Sequence, residues 1–198
     1  MAEIDLLRDF ILAAGGGLGG GIGGGLIVLA GERLIAWRRR PVLVPSADTT
    51  RHRAVIIENV TTDRGPATYF RLHVQNDGRE TARGCEVAIE RLIRTEPTRI
   101  EYENDAIPLG WSLIPSNALH IHAHTGRFCD IFRVRAEDFA ICSQVTPNYL
   151  ADDLVNSCRD RARFELTLRI SADNADPTRI NIVCGWGHDR RNPFARNS

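Results

Sequence analysis

Between Phe10 and Gly31 the chain carries no charged or strongly polar side chain, and nine of the eleven residues in GGGLGGGIGGG, 15–25, are glycine. This segment constrains the fold more than any other. In water each glycine costs a helix about 0.8–1 kcal/mol relative to alanine, so the run excludes a stable helix there. In hydrocarbon an unpaired backbone costs more than the glycines do, and the helix is enforced. At about 1.5 Å per residue the segment reaches the roughly 30 Å of a bilayer core. Its nine Phe, Leu, Ile and Val side chains each favour insertion by about 0.3–0.6 kcal/mol. One transmembrane helix over 10–37 is therefore expected, preceded by an extracytoplasmic N-terminus, 1–9.

The glycines recur every four residues in three adjoining rows: Gly15, Gly19 and Gly23; Gly16, Gly20 and Gly24; Gly17, Gly21 and Gly25. Leu18, Ile22 and Leu26 form the remaining ridge. Such a smooth face lets a second backbone approach closely, so the helix is expected to pack against itself or against another membrane protein. Two other readings fit the residues less well. A flexible linker does not fit the apolar flanks FILAA and LIVLA. A dinucleotide fingerprint on Gly15, Gly17 and Gly20 needs alternating strands and helices downstream, which the sequence lacks.

Charge sets the orientation. MAEIDLLRD holds three acids and one arginine, whereas Arg33, Arg38, Arg39, Arg40, Arg51 and Arg53 follow the span. Positive flanks stay in the cytoplasm. The N-terminus is thus expected outside the inner membrane and the bulk of the chain inside, as a single-pass protein. Trp37 falls at the headgroup boundary, with Arg38, Arg39 and Arg40 touching anionic lipid headgroups. An acidic beginning disfavours a cleaved signal peptide. Pro41 stops the helix, and 38–53 reads as a basic juxtamembrane linker.

Twenty-five basic and twenty-five acidic side chains cancel, which argues against nucleic acid as a partner. Five separated cysteines, Cys85, Cys129, Cys142, Cys158 and Cys184, contain no CxxC pair; the odd number argues against a disulfide framework and suits a reducing compartment.

Beyond the linker the period becomes two. Seven runs, 54–60, 67–76, 84–93, 118–124, 127–135, 163–172 and 178–184, alternate in polarity between Gly, Pro, Asn and Asp clusters. Seven short strands imply a β-sandwich, here over 54–187, with a flexible tail over 188–198. Phe70, Leu72, Val74, Val87, Ile89, Phe164, Leu166, Leu168 and Ile170 form the expected inward rows; Arg71, His73, Glu165, Thr167 and Arg169 face water. The stretch 136–160 reads as an excursion with one helical turn around ADDLVNS.

RLHVQNDGRETARGCEVAIE, with Leu72, Val74, Asn76, Gly78, Ala82 and Cys85, resembles a group of uncharacterised bacterial proteins. In these an N-terminal transmembrane helix carries a cytoplasmic immunoglobulin-like sandwich. ISADNADPTRINIVCGWG looks like that group's closing hairpin. The resemblance implies an all-β, immunoglobulin-like fold and brings no catalytic residues. The residues agree physically: Asn76 can satisfy turn backbone, Gly78 can take positive φ, and Ala82 and Cys85 are small enough for two sheets to approach.

Candidate chemistry is sparse. His120, His122 and His124 in HIHAH project from one face of a strand, with Asp130 nearby, in the alternating manner of metal ligands. Same-face Cβ atoms lie roughly 6.6 Å apart, however, and three imidazoles must converge; the row is read as solvent-facing and no metal is assigned. Trp111 and Trp186 read as a core plug and a closing-edge residue. Cys142 and Cys158 lack a nucleophile motif and read as buried, inert thiols. No catalytic residue and no cofactor is assigned, so an enzyme is not expected. Two functions remain. The first is a membrane-anchored, non-enzymatic binding or assembly module whose sandwich recognises a cytoplasmic protein or small ligand. The alternative is a switchable membrane-perturbing effector whose cytoplasmic domain senses an anionic ligand or infection signal.

If the glycine rows are a packing face, Gly19→Leu/Gly23→Leu is expected to weaken helix association while insertion is kept or improved. Crosslinking and size analysis in detergent check this; an unchanged oligomer or complex contradicts the packing role.

Overall fold

Extended backbone with side chains of alternating polarity buries one face and wets the other, and two such sheets close on each other about 10 Å apart. The computed structural model describes residues 39–63, 65–102, 106–114, 116, 118–135, 139–143, 162–187 and 193–198. The expected span 10–37 with its glycines, Trp37, Arg38 and Cys158 lie outside the described residues. Arg39 is helical and exposed, and no helix among the described residues is long and apolar enough to cross a membrane. Pro41–Ser198 forms a compact unit of its own, and it is all-β, built of two antiparallel sheets.

The first sheet is centred on β3 (Gly65–Asn76) and β9 (Gly126–Arg135). Outside β3 lie β1 (Leu43–Ser46), opposite its C-terminal half, and β2 (Ile56–Thr62), opposite its N-terminal half. Outside β9 lie β7 (Gly110–Trp111) and β10 (Phe139–Ile141). The second sheet runs β13 (Phe194–Asn197), β12 (Ala175–Trp186), β11 (Ala162–Ala172) and β4 (Ala82–Glu96). The far edge of β4 takes β5 (Ile100–Tyr102), β6 (Ile107–Pro108) and β8 (Leu119–Ile121) in succession.

The inward rows fall where the alternation places them: Phe70, Leu72, Val74, Val87, Ile89, Phe164, Leu166, Leu168 and Ile170 are all buried. Aromatic rings bridge the sheets, with Phe132 and Phe164 centroids 5.3 Å apart and Phe70 and Trp186 5.8 Å apart. Trp186, the last residue of β12, belongs to this central cluster rather than to a closing edge. Trp111 plugs the core and also crosses it: its indole N–H donates to the Cys85 carbonyl at 3.1 Å.

Several expectations need correction. Part of the supposed linker is β1, and part of the supposed flexible tail is β13, whose pairing runs from Gly185↔Phe194 to Ile182↔Asn197. Both are edge strands of four residues, too short to announce themselves by periodicity. HIHAH is not one strand; β8 ends at Ile121. Position 78 does not carry positive φ; Gly84 does, at 58°, where a Cβ would press on the Asp173 carboxylate at 2.6 Å. His73 is buried rather than wet.

At the end of β3, Asn76 is fully buried and uses its whole side chain. Its Oδ1 accepts from the Val42 N–H at 3.1 Å and the Gly78 N–H at 3.0 Å. Its Nδ2 donates to the Glu80 carbonyl at 2.7 Å and the Ile121 carbonyl at 3.0 Å. Chain entry, the β3–β4 turn and the end of β8 are held by one amide, which links the two sheets. Asn76→Ala strands four buried or half-buried backbone groups and is expected to cost about 2–4 kcal/mol. Urea unfolding of the Pro41–Ser198 unit checks this; an unchanged midpoint contradicts it.

Candidate interaction surface

The chain enters the first sheet beside Asn76, and the same end gathers the β3–β4, β8–β9 and β11–β12 turns. Asn174 fastens the last of these to β4, accepting from the Arg83 N–H at 2.9 Å and donating to the Thr81 carbonyl at 3.0 Å. The three histidines of HIHAH are divided among these elements. His120 Nδ1 accepts from the Gly84 N–H at 3.2 Å, and His122 Nδ1 lies 3.2 Å from the Thr81 hydroxyl. His124 sits in the β8–β9 turn with φ 58°, its N–H donating to the Asn76 carbonyl at 2.7 Å. Their shared strand face does not form; two of the rings serve as acceptors or partners for the start of β4. Among the described residues no group of three or more His, Cys, Asp or Glu side chains converges as metal ligands do.

A second histidine pair was not legible in the sequence. His52, preceding β2, stacks on His73 with centroids 3.9 Å apart, and Phe128 packs on His73 at 4.8 Å. A Cβ at Gly126 would collide with the His73 ring, so only glycine lets β9 begin there. Burial, reinforced by His52, pushes the His73 pKa below the ordinary 6.5.

Asp130 does not approach the histidines of HIHAH. It accepts from Arg71 Nε at 2.7 Å and from the Ser112 hydroxyl, and Arg71 also lies over the Tyr69 ring at 5.5 Å. The Ser112 bond anchors a tight turn in which the Ile114 N–H donates to the Trp111 carbonyl at 3.1 Å. Leu113, inside that turn, has φ 64° and is 97% exposed. A bulky side chain in the left-handed region is strained, by roughly 1–2 kcal/mol, and glycine is the usual occupant. Nothing in the local sequence marks this position.

The thiols among the described residues are held protonated. Burial pushes Cys85 up to about 11 and the half-buried Cys142 up to about 12, and it also raises Cys129 and Cys184. The outer face of the second sheet is a polar ladder. Glu90 occupies one of the two register shifts of β4 against β11 and binds Arg179 at 2.7 and 3.1 Å and Arg169 at 3.5 Å; Arg91 binds Glu101 at 2.7 Å, and Thr167 donates to Asn181 at 2.9 Å. A shallow depression of about 180 Å³ opens there, lined in part by Arg91, Glu165, Thr167, Asn181 and Ser198; ligand clefts are usually about 300–1,000 Å³. Arg94 breaks the inward row of β4; it is buried opposite Phe164, and its Nε donates to the Thr98 carbonyl at 3.2 Å. No family model matches the chain, and no curated protein matches it.

The His73 shift fixes a sign. A depressed histidine pKa means the unfolded chain binds the proton more readily, so stability is present above the ordinary 6.5 and is lost as pH falls through the folded value. Unfolding free energy is expected to drop as pH falls from 7 to 5, with the drop reduced in His73→Gln. Equal slopes in the two proteins contradict this assignment.

Proposed function

We propose that the protein is a membrane-anchored, non-enzymatic binding or assembly module: a Gly-rich helix associates with itself or a larger membrane complex, and an immunoglobulin-like sandwich in the cytoplasm recognises a partner protein. The observation that carries the non-enzymatic reading is that, among the described residues, the groups the sequence offers as chemistry are engaged in holding the fold or kept protonated. His120 and His122 brace the start of β4, Asp130 joins Ser112 to Arg71, and Cys85, Cys129, Cys142 and Cys184 are kept protonated by burial. The immunoglobulin-like reading is supported by strand order. Sheets β1-β3-β9-β7 and β12-β11-β4-β5 follow the order A-B-E-D and G-F-C-C′. Fold alone does not give function; the anchor reading rests on the uncharged segment 10–31 and the arginines after it.

Affinity purification of the full chain from crosslinked native membranes, read by mass spectrometry, tests the proposal. The chain is expected to resist alkaline carbonate extraction and to carry protein crosslinks on the sandwich. Release by carbonate, or a chain recovered without any crosslinked protein, contradicts it.

A further inference from the structure

Among the described residues the exposed large hydrophobic side chains are Val42, Val44 and Leu113, at 48, 39 and 97% exposure. They share one end of the first sheet. Val44 pairs with Gln75 and Gln75 with Gly126, while Val42 accepts from the Asp77 N–H. On the opposite edge the Ser112 N–H donates to the Phe128 carbonyl, which puts Leu113 one step further, beside Arg127. Three strand spacings, about 14 Å, separate the valines from the leucine. Chain entry at Pro41 lies at this end too.

Leu113 is the sharper observation. The turn holds a leucine where glycine is the relaxed residue, and it points that leucine wholly into solvent. Two bonds pin the turn, from the Ile114 N–H and from Ser112 to Asp130, and the strain persists because they over-determine it. A strained, fully exposed apolar side chain neither stabilises the turn nor fills the core.

We infer that this end of the sandwich docks on a lipid bilayer, with Leu113 entering the interface and Val42 and Val44 lying against it. The inference rests on the membrane-anchor reading. A bilayer is favoured over a protein because of where the chain enters: only residues 32–40 separate Pro41 from the uncharged segment, so the tether delivers this end to the surface holding the anchor. Arg79, Arg83 and Arg127 are exposed on the same end, where an anionic leaflet attracts basic side chains over a Debye length. Asp77 and Glu80 are exposed there as well, so burial of the apolar side chains rather than net charge supplies the attraction.

The full chain is reconstituted in phosphatidylcholine–phosphatidylglycerol vesicles with a benzophenone amino acid at position 113, or at Asp63 in the β2–β3 turn. Asp63 is 83% exposed and lies at the other end of β3, roughly 35 Å away along the strand. Irradiation is expected to join lipid to position 113 several-fold more than to position 63. With the probe at Val44 instead, Leu113→Gly is expected to reduce lipid adducts while the unfolding temperature stays level or rises, because glycine relaxes the turn. A folding defect predicts the reverse temperature shift. Equal lipid labelling at 113 and 63, or adducts at 113 made only with protein, overturns the docking. A chain that resists carbonate yet gives no lipid adduct at 113 loses the docking and keeps the anchor; a chain that carbonate releases loses both.

Discussion

One side-chain amide fixes the corner on which the sandwich closes. Asn76 spends two acceptor and two donor bonds on four backbone groups, from Val42, Gly78, Glu80 and Ile121. Its own backbone accepts from His124 and donates to Thr125. Val42 leads into the first sheet and Ile121 ends a strand of the second. A buried backbone group left without a partner costs about 1–3 kcal/mol, and here one residue answers for four. Aspartate offers no amide donors and leucine offers no partner at all; the carbonyl oxygen and the amide NH2 of asparagine match the site.

From that corner the rest follows by pairing. β3 and β9 carry the first sheet, and the fifteen-residue β4 carries the second, with β11 along one edge and three short strands along the other. A strand that long bends, and the register shift at Glu90 accommodates it. The extra residue is not wasted: its carboxylate lies between Arg169 and Arg179, which hold it below the usual carboxylate range through the Arg179 hydrogen bond first and their charges second. Between the sheets, Phe70, Phe132, Phe164 and Trp186 fill one region of the core, and the Trp111–Cys85 hydrogen bond crosses another.

The long strands were legible because alternation over seven or more residues favours extended backbone; β3, β4, β9 and β11 lie close to their expected ranges, and β12 extends beyond its expected range at both ends. β5, β6 and β7, at two or three residues, have no periodicity to detect; tertiary pairing makes them. HIHAH alternates perfectly on paper, yet positive φ at His124 turns the chain. His73 occupies an outward position that His52 and Phe128 cover from distant sequence, which no local pattern announces. Leu113 was invisible for the opposite reason: the signal for left-handed backbone is glycine, and the sequence has leucine. The proposed surface itself was not legible beforehand.

On this account the Asn76 junction makes the two sheets one cooperative unit. Native-state amide hydrogen exchange measures it directly, since amides that open only with global unfolding share its free energy while frayed ends do not. The Val42 and Gly78 amides, both bonded to Asn76 Oδ1, are expected to exchange as slowly as those of Leu72 and Phe164 in the core strands. Fast exchange at Val42 and Gly78 against a protected core would show that the corner frays independently, and that the sheets are held without it.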